Sequence, residues 1–212
     1  MKDFMKKFIL LLMLLVFISG SLFAASNDDE EDDEDYDKDT YVESYSLGDQ
    51  MFFINAGLFI PLFFFDKSME IYDTNLTLGG NGSLSWQVFL SNHLSVGAEL
   101  GGMFALSPNK RILYMIPLTV KATYWIRFFP FEIPIGLGLG GNLSIFDEAA
   151  HIDFIAKPQV GFYWNFNEEW AFGLNVTYWF VPQIYSGSGK VPSDNSMFGN
   201  FMDASLSVLF RF

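Results

Sequence analysis

From residue 50 onward, apolar and polar positions alternate with a period of two, and the pattern recurs in eight segments. In segment 52–62 the even positions Phe52, Ile54, Ala56, Leu58, Ile60 and Leu62 are apolar, with Asn55 and Gly57 between them. Segment 75–90 sets Leu76, Leu78, Leu84, Trp86, Val88 and Leu90 against Asn75, Thr77, Asn81, Ser83, Ser85 and Gln87. The same alternation runs through 94–104, 116–128, 133–145, 152–166, 170–180 and 202–212. Successive side chains of a strand point to opposite faces, so this pattern predicts eight β-strands, each with one apolar face. Strands of about ten residues, tilted, are long enough to cross a bilayer.

The links between the segments alternate as well. Short ones fall at 91–93, 129–131 and 167–169, and longer ones at 63–74, 107–111, 147–151 and 186–196. Short turns at one end and longer loops at the other predict an eight-stranded antiparallel up-and-down transmembrane β-barrel, all-β, with both mature termini periplasmic.

The polar face decides between a barrel in lipid and one in water. A soluble barrel covers its outside with charge, whereas here the polar faces of all eight strands carry only Glu99, Lys121, Arg127, Glu132, Asp153, Lys157, Asp203 and Arg211. Most of the other residues on that face are Gly, Ser, Thr and Asn, suited to a narrow lumen. The apolar face therefore meets lipid. Its aromatics Trp86, Tyr124, Phe128, Trp164, Phe166, Trp170, Phe210 and Phe212 gather near the short turns, as an interfacial girdle would.

Composition changes the picture mainly before residue 50. The chain has 212 residues and a net charge of −13, with no Cys. An acidic chain of this kind is no nucleic-acid binder, and the lack of Cys excludes disulfides, thiolate metal sites and Cys nucleophiles. Residues 1–24 carry three Lys and one Asp around an apolar run from residue 8 to 18, followed by Ala24 and Ala25. That is a signal peptide, with cleavage expected after Ala24 or Ala25. Residues 25–49 hold 12 acids and one Lys, including eight consecutive acids from Asp28 to Asp35. Such a run repels itself and predicts a disordered leader. Residues 50–212, with 12 acids and eight bases, are the barrel.

Taken together, the signal peptide, the eight strands, the tight turns and the final strand ending in Val208, Leu209, Phe210, Arg211 and Phe212 resemble small eight-stranded outer-membrane proteins of the OmpX, OmpW and OmpA-barrel type. The likeness is one of pattern over residues 50–212, and it implies an outer-membrane location. It also implies that Phe210 and Phe212 form the assembly signal read by the barrel-assembly machinery.

Candidate chemistry is sparse. Gly136, Gly138 and Gly141 match a dinucleotide-binding spacing, yet they lie inside a strand with no helix to follow, and small inward residues explain them better. His151 and Ser144 near the long-loop rim lack a converging nucleophile, base and orienting group, and no metal-ligand spacing occurs, so no catalytic, cofactor or metal site is assigned. The expected role is non-enzymatic: structure, surface interaction or at most narrow passage, with outer-membrane lipid as its surroundings. One alternative is an OmpW-like conduit for small hydrophobic solutes, favoured by inward Phe53, Phe59, Phe89, Trp125, Ile155 and Trp179; the other is a lipid-A-modifying enzyme. The eight inward charges, four of each sign, predict a paired network that closes the lumen. Within it, a hairpin centred on Lys110 would set Glu99 opposite Lys121, with Lys157 and Asp203 near the same depth.

Overall fold

The computed structural model describes residues 45–108, 111–146, 149–183 and 196–212. The signal peptide and the acidic run lie outside the described residues. Within them the strands are β1 (Gln50–Asp66), β2 (Ile71–Tyr72), β3 (Gly79–Ser91), β4 (Leu94–Leu106), β5 (Ile112–Phe128), β6 (Phe131–Phe146), β7 (Ala149–Asn165), β8 (Trp170–Gln183) and β9 (Met197–Arg211). Two-residue β2 only extends the tip of β1. The other eight pair antiparallel in chain order, and β9 closes on β1 from Met51↔Arg211 to Asp66↔Met197. Closure gives each of the eight long strands a neighbour on both sides, the requirement for backbone in lipid. The architecture is a closed eight-stranded antiparallel barrel.

Four local differences from the sequence expectation have identifiable causes. β1 continues past Leu62 to Asp66, because a bulge between Pro61 and Phe63 shifts the register. A bulge inserts one residue and swaps the faces beyond it. Phe64 therefore packs inward, and Phe65 stacks on Phe198 at 4.8 Å. β3 begins only at Gly79, since the chain at Asn75 takes a left-handed turn (φ 49°) that sends Leu76 inward. The expected longer link at 147–151 is shorter, with β6 and β7 paired up to Phe146↔Ala149. Finally, residues 45–49, expected in the disordered leader, are packed. Gly48 N–H donates to the Phe89 carbonyl at 3.0 Å, Phe89 N–H donates to that of Asp49 at 2.9 Å, and Tyr45 is buried. The acid-rich composition ends before Tyr45, so an aromatic ring with a cluster to join can offset its ordering entropy.

The inward faces make two apolar layers. One, at the end of the short turns and strand termini (the terminal end), joins Tyr45, Met51, Phe53, Phe89, Trp125, Tyr163, Ala171 and Leu209. The other, toward the long loops (the loop end), joins Phe59, Met103, Met115, Ile155, Trp179 and Phe201 with smaller neighbours. Burying each large side chain contributes about 1.5–3 kcal/mol. The outward faces expose Leu84, Trp86, Leu118, Tyr124, Leu139, Phe172 and Leu206, as a lipid-facing wall must.

Candidate functional site

Between the two apolar layers lies a charged one. Glu99 on β4 receives Lys121 of β5 at 3.1 Å on Oε2 and Lys157 of β7 on Oε1, all three side chains being buried. The hairpin register places Thr119 opposite Glu99 and Gly97 opposite Lys121, so the expected direct pairing is replaced by a diagonal one. A Lys side chain is long enough to close that offset. Glycine makes the reach possible: Lys121 is flanked by Gly97 and Gly138, and Gly138 in turn by Lys157. The glycine run on β6 thus clears space for two ammonium groups.

Lys157 also sits 4.3 Å over the ring centroid of Trp179, whose indole N–H donates to Asp203. Asp203 on β9 thereby joins the layer through Trp179. The void left here is about 10 Å³, bordered by Asn55, Asn81, Glu99, Lys157, Asn175 and Asp203. That is room for about one water.

A polar belt ties this layer to the terminal end. Asn175 donates to Asn55 at 3.1 Å and to the Tyr163 hydroxyl at 2.7 Å; Tyr163 donates to Ser207 at 2.8 Å, and Asn55 to Ser83 at 2.9 Å. Across the barrel, the Trp125 indole donates to Ser95 at 2.9 Å, and Ser95 to Gln87 at 2.8 Å.

The remaining four charges stand apart from the middle layer. Arg211 pairs with Glu132 at 3.0 Å near the strand termini and donates to Asn165 at 2.7 Å. Tyr45 donates its hydroxyl to Glu132 at 2.8 Å, with the Arg127 and Arg211 guanidiniums 4.6 and 5.4 Å from its ring centroid. Burial, with the Glu132 carboxylate beside it, holds the Tyr45 phenol far above its ordinary pKa, so it stays a neutral donor. Asp153 lies at the loop end, where it accepts from Ser144 at 3.1 Å, and Ser144 accepts from Asn142 at 2.7 Å. The eight charges therefore fall into three groups at three depths. Above the middle layer the lumen opens into a cavity of about 390 Å³, walled by Phe64, Leu76, Leu113, Val181 and Phe201, with Ser144, His151 and Gln183 on one side.

Phe210 and Phe212 close the outward aromatic girdle, with Trp170 4.8 Å from Phe210 and Phe212 stacked 5.8 Å from it. Sequence reading passed over Tyr45 and the Asn55–Asn175–Tyr163 belt. Tyr45 had a weak signal, the turn-forming Ser46, Gly48 and Asp49 that follow it. The belt had none beyond an inward parity.

Comparison with known proteins places the chain among relatives. A protein-family model aligns with residues 29–210. An uncharacterized protein of Borreliella burgdorferi is 31% identical over 177 residues, covering 73% of this chain and 79% of its own length. An uncharacterized protein of Treponema pallidum is 26% identical over 114 residues, covering 53% of this chain and 52% of the relative. Among solved structures, Neisserial surface protein A matches with a TM-score of 0.54 at 14% identity, covering 76% of this chain and 97% of that one. The shared feature at that identity is the fold of a small outer-membrane barrel.

Proposed function

This chain belongs to one family with the Borreliella burgdorferi relative, and we propose that it works as a sealed, non-enzymatic barrel of the outer membrane, with a structural or surface-interaction role. The observation that carries this reading is the Glu99 carboxylate shared by Lys121 and Lys157, around which a void of only about 10 Å³ remains. A permeation path needs a continuous wet or apolar corridor, and this layer interrupts both. The Ser144 hydroxyl donates to a carboxylate instead of to an imidazole, which supports a rim hydrogen bond over an activated nucleophile.

On this reading the chain is exported by residues 1–24, the terminal end faces the periplasm, and Phe210 and Phe212 present the signal to the assembly machinery. The long-loop end is the surface available to partners. Planar-bilayer recordings on the refolded protein test the seal: near-zero conductance is expected, and large steady channels would overturn it.

A second reading, an OmpW-like conduit for small hydrophobic molecules, has one observation in its favour. Pairing of β4 with β5 lapses between Leu100↔Leu118 and Met103↔Met115, where Pro117 supplies no N–H. An outward notch of about 310 Å³ lies there against Gly80, Gly82, Gly102 and Met115, and Met115 also lines the loop-end cavity. Transfer of a fluorescent hydrophobic solute into proteoliposomes, faster than into protein-free vesicles, would favour the conduit over the seal.

A further inference from the structure

Among the described residues, every buried apolar side chain of the lumen but one belongs to a strand of the wall. A wall residue cannot leave the lumen without breaking the ladder hydrogen bonds of two neighbours. The exception is Tyr45, which enters the terminal mouth from the segment preceding β1. The main chain is fastened just after it: Asp49 Oδ2 accepts from Ser46 N–H at 2.7 Å, and Gly48 and Asp49 are bonded to Phe89. Gly48 has φ +99°, a left-handed conformation that turns the preceding residues back toward the mouth.

The Tyr45 ring stacks on Phe89 with centroids 4.0 Å apart and planes 13° from parallel, and meets Trp125 edge-on at 6.3 Å. Its hydroxyl reaches Glu132, which Arg211 holds in place. Arg127 and Arg211 lie close to the ring. This is a made-to-measure socket for a phenol: an aromatic wall, two guanidiniums and one acceptor at the depth of the hydroxyl. The socket itself is wall, since Phe89, Trp125, Arg127, Glu132 and Arg211 all sit on β3, β5, β6 and β9.

We propose that Tyr45 is a removable stopper: a tethered side chain that closes the terminal half of the lumen and can swing out on the Ser46–Gly48 turn while the barrel stays folded. The middle layer is untouched by this movement, so the stopper governs water and solute entry only as far as Glu99.

The absence of Cys from the chain makes a clean test. Ala171→Cys places a thiol in the buried terminal cluster, and Val181→Cys places one at the loop-end cavity. Each is put into the full chain, refolded in micelles, and labelled with a small charged thiol reagent. With Tyr45→Ala, labelling at position 171 should accelerate at least about tenfold, as expected when a local closure worth more than one hydrogen bond is lost. Labelling at position 181 should stay constant. Tyr45→Phe keeps the ring and loses only the Glu132 bond, and should fall between the two at position 171. Unchanged labelling at 171 in a barrel that still shows heat-modifiable mobility would overturn the proposal. Equal acceleration at 171 and 181 would do the same, because it reports general loosening. If Tyr45→Ala yields no folded barrel, Tyr45→Phe decides, faster labelling supporting the stopper and parental labelling overturning it.

Discussion

The two halves of the lumen are built from the same kinds of residue and held in different ways. On the terminal side of Glu99, large rings are cross-tied by polar groups: Tyr163 bonds to Ser207, Trp125 to Ser95, and Tyr45 to Glu132. On the loop side only Trp179 is tied to a polar group, Asp203 in the charged layer; beyond it the buried rings meet each other, Phe59 lying 5.4 Å from Trp179 and 5.2 Å from Phe201, and the space above them is a cavity. Directional bonds fix a single packing, while ring contacts tolerate rearrangement. The strand-borne rings of the terminal half are thus built to hold one shape, Tyr45 being the one member hung from outside the wall, and the loop half is built to accommodate.

Breaking the boundary between the halves should have the largest effect. Glu99→Ala leaves Lys121 and Lys157 buried together without their shared acceptor. The expected loss is about 3–5 kcal/mol, because an unpaired buried charge costs far more than the pair contributes. Denaturant titration in micelles reads it, and bilayer recordings should show new openings. Lys121→Ala should cost less, since Lys157 still serves Glu99; equal losses for the two variants would show that the diagonal bridge alone holds the layer and that Lys157 does not share the carboxylate's load.

Next in size is Gly97→Ala. A Cβ there would fall on the Trp86 carbonyl and the Gln87 backbone, and would force β3 and β4 apart just where Lys121 needs room. Overpacking of this kind costs about 1–3 kcal/mol. A variant as stable as the parent in the same titration would mean that the β3–β4 ladder yields freely.

Tyr163→Phe sharpens the contrast from the terminal side. It deletes the donor to Ser207 and the acceptor for Asn175, at a cost of about 1–2 kcal/mol, with Asn175 left to rely on Asn55. The smallest change is Leu113→Ala in the cavity wall, expected to cost about 1 kcal/mol or less because the residue is only partly buried. If Leu113→Ala proved the more damaging of the two, the loop half would be the rigid one.

Much of the barrel was legible because alternation reports a face directly. Phe53, Phe89, Trp125 and Trp179 are inward on parity alone, and the structure buries all four. Alternation fails where the backbone breaks the count, as at the Pro61/Phe63 bulge, where the four residues from Leu62 to Phe65 are uniformly apolar in sequence. It also carries no depth. Counting back from the strand ends placed Lys157 and Asp203 at the level of Glu99 and Lys121, but strand tilt and stagger set the other levels, so the separation of Arg127, Glu132 and Arg211 from Asp153 gave no sign. The hairpin between β4 and β5 could be centred only approximately, and a small register error turns a directly opposed pair into a diagonal one. Tyr45 was hidden for a different reason. Its place depends on a ring finding a socket far away in sequence, which no local pattern encodes.

The middle layer also bears on how the barrel comes together. Its members come from β4, β5, β7, β8 and β9, and β9 pairs with β1 only when the cylinder is complete. A half-formed sheet without β7 would hold the Glu99–Lys121 pair of the β4–β5 hairpin without Lys157, its charges facing hydrocarbon on one side. Intermediates are thereby penalised and the finished cylinder is favoured over each of them. The contacts that leave a void of only about 10 Å³ at mid-barrel thus also reward completion of the cylinder.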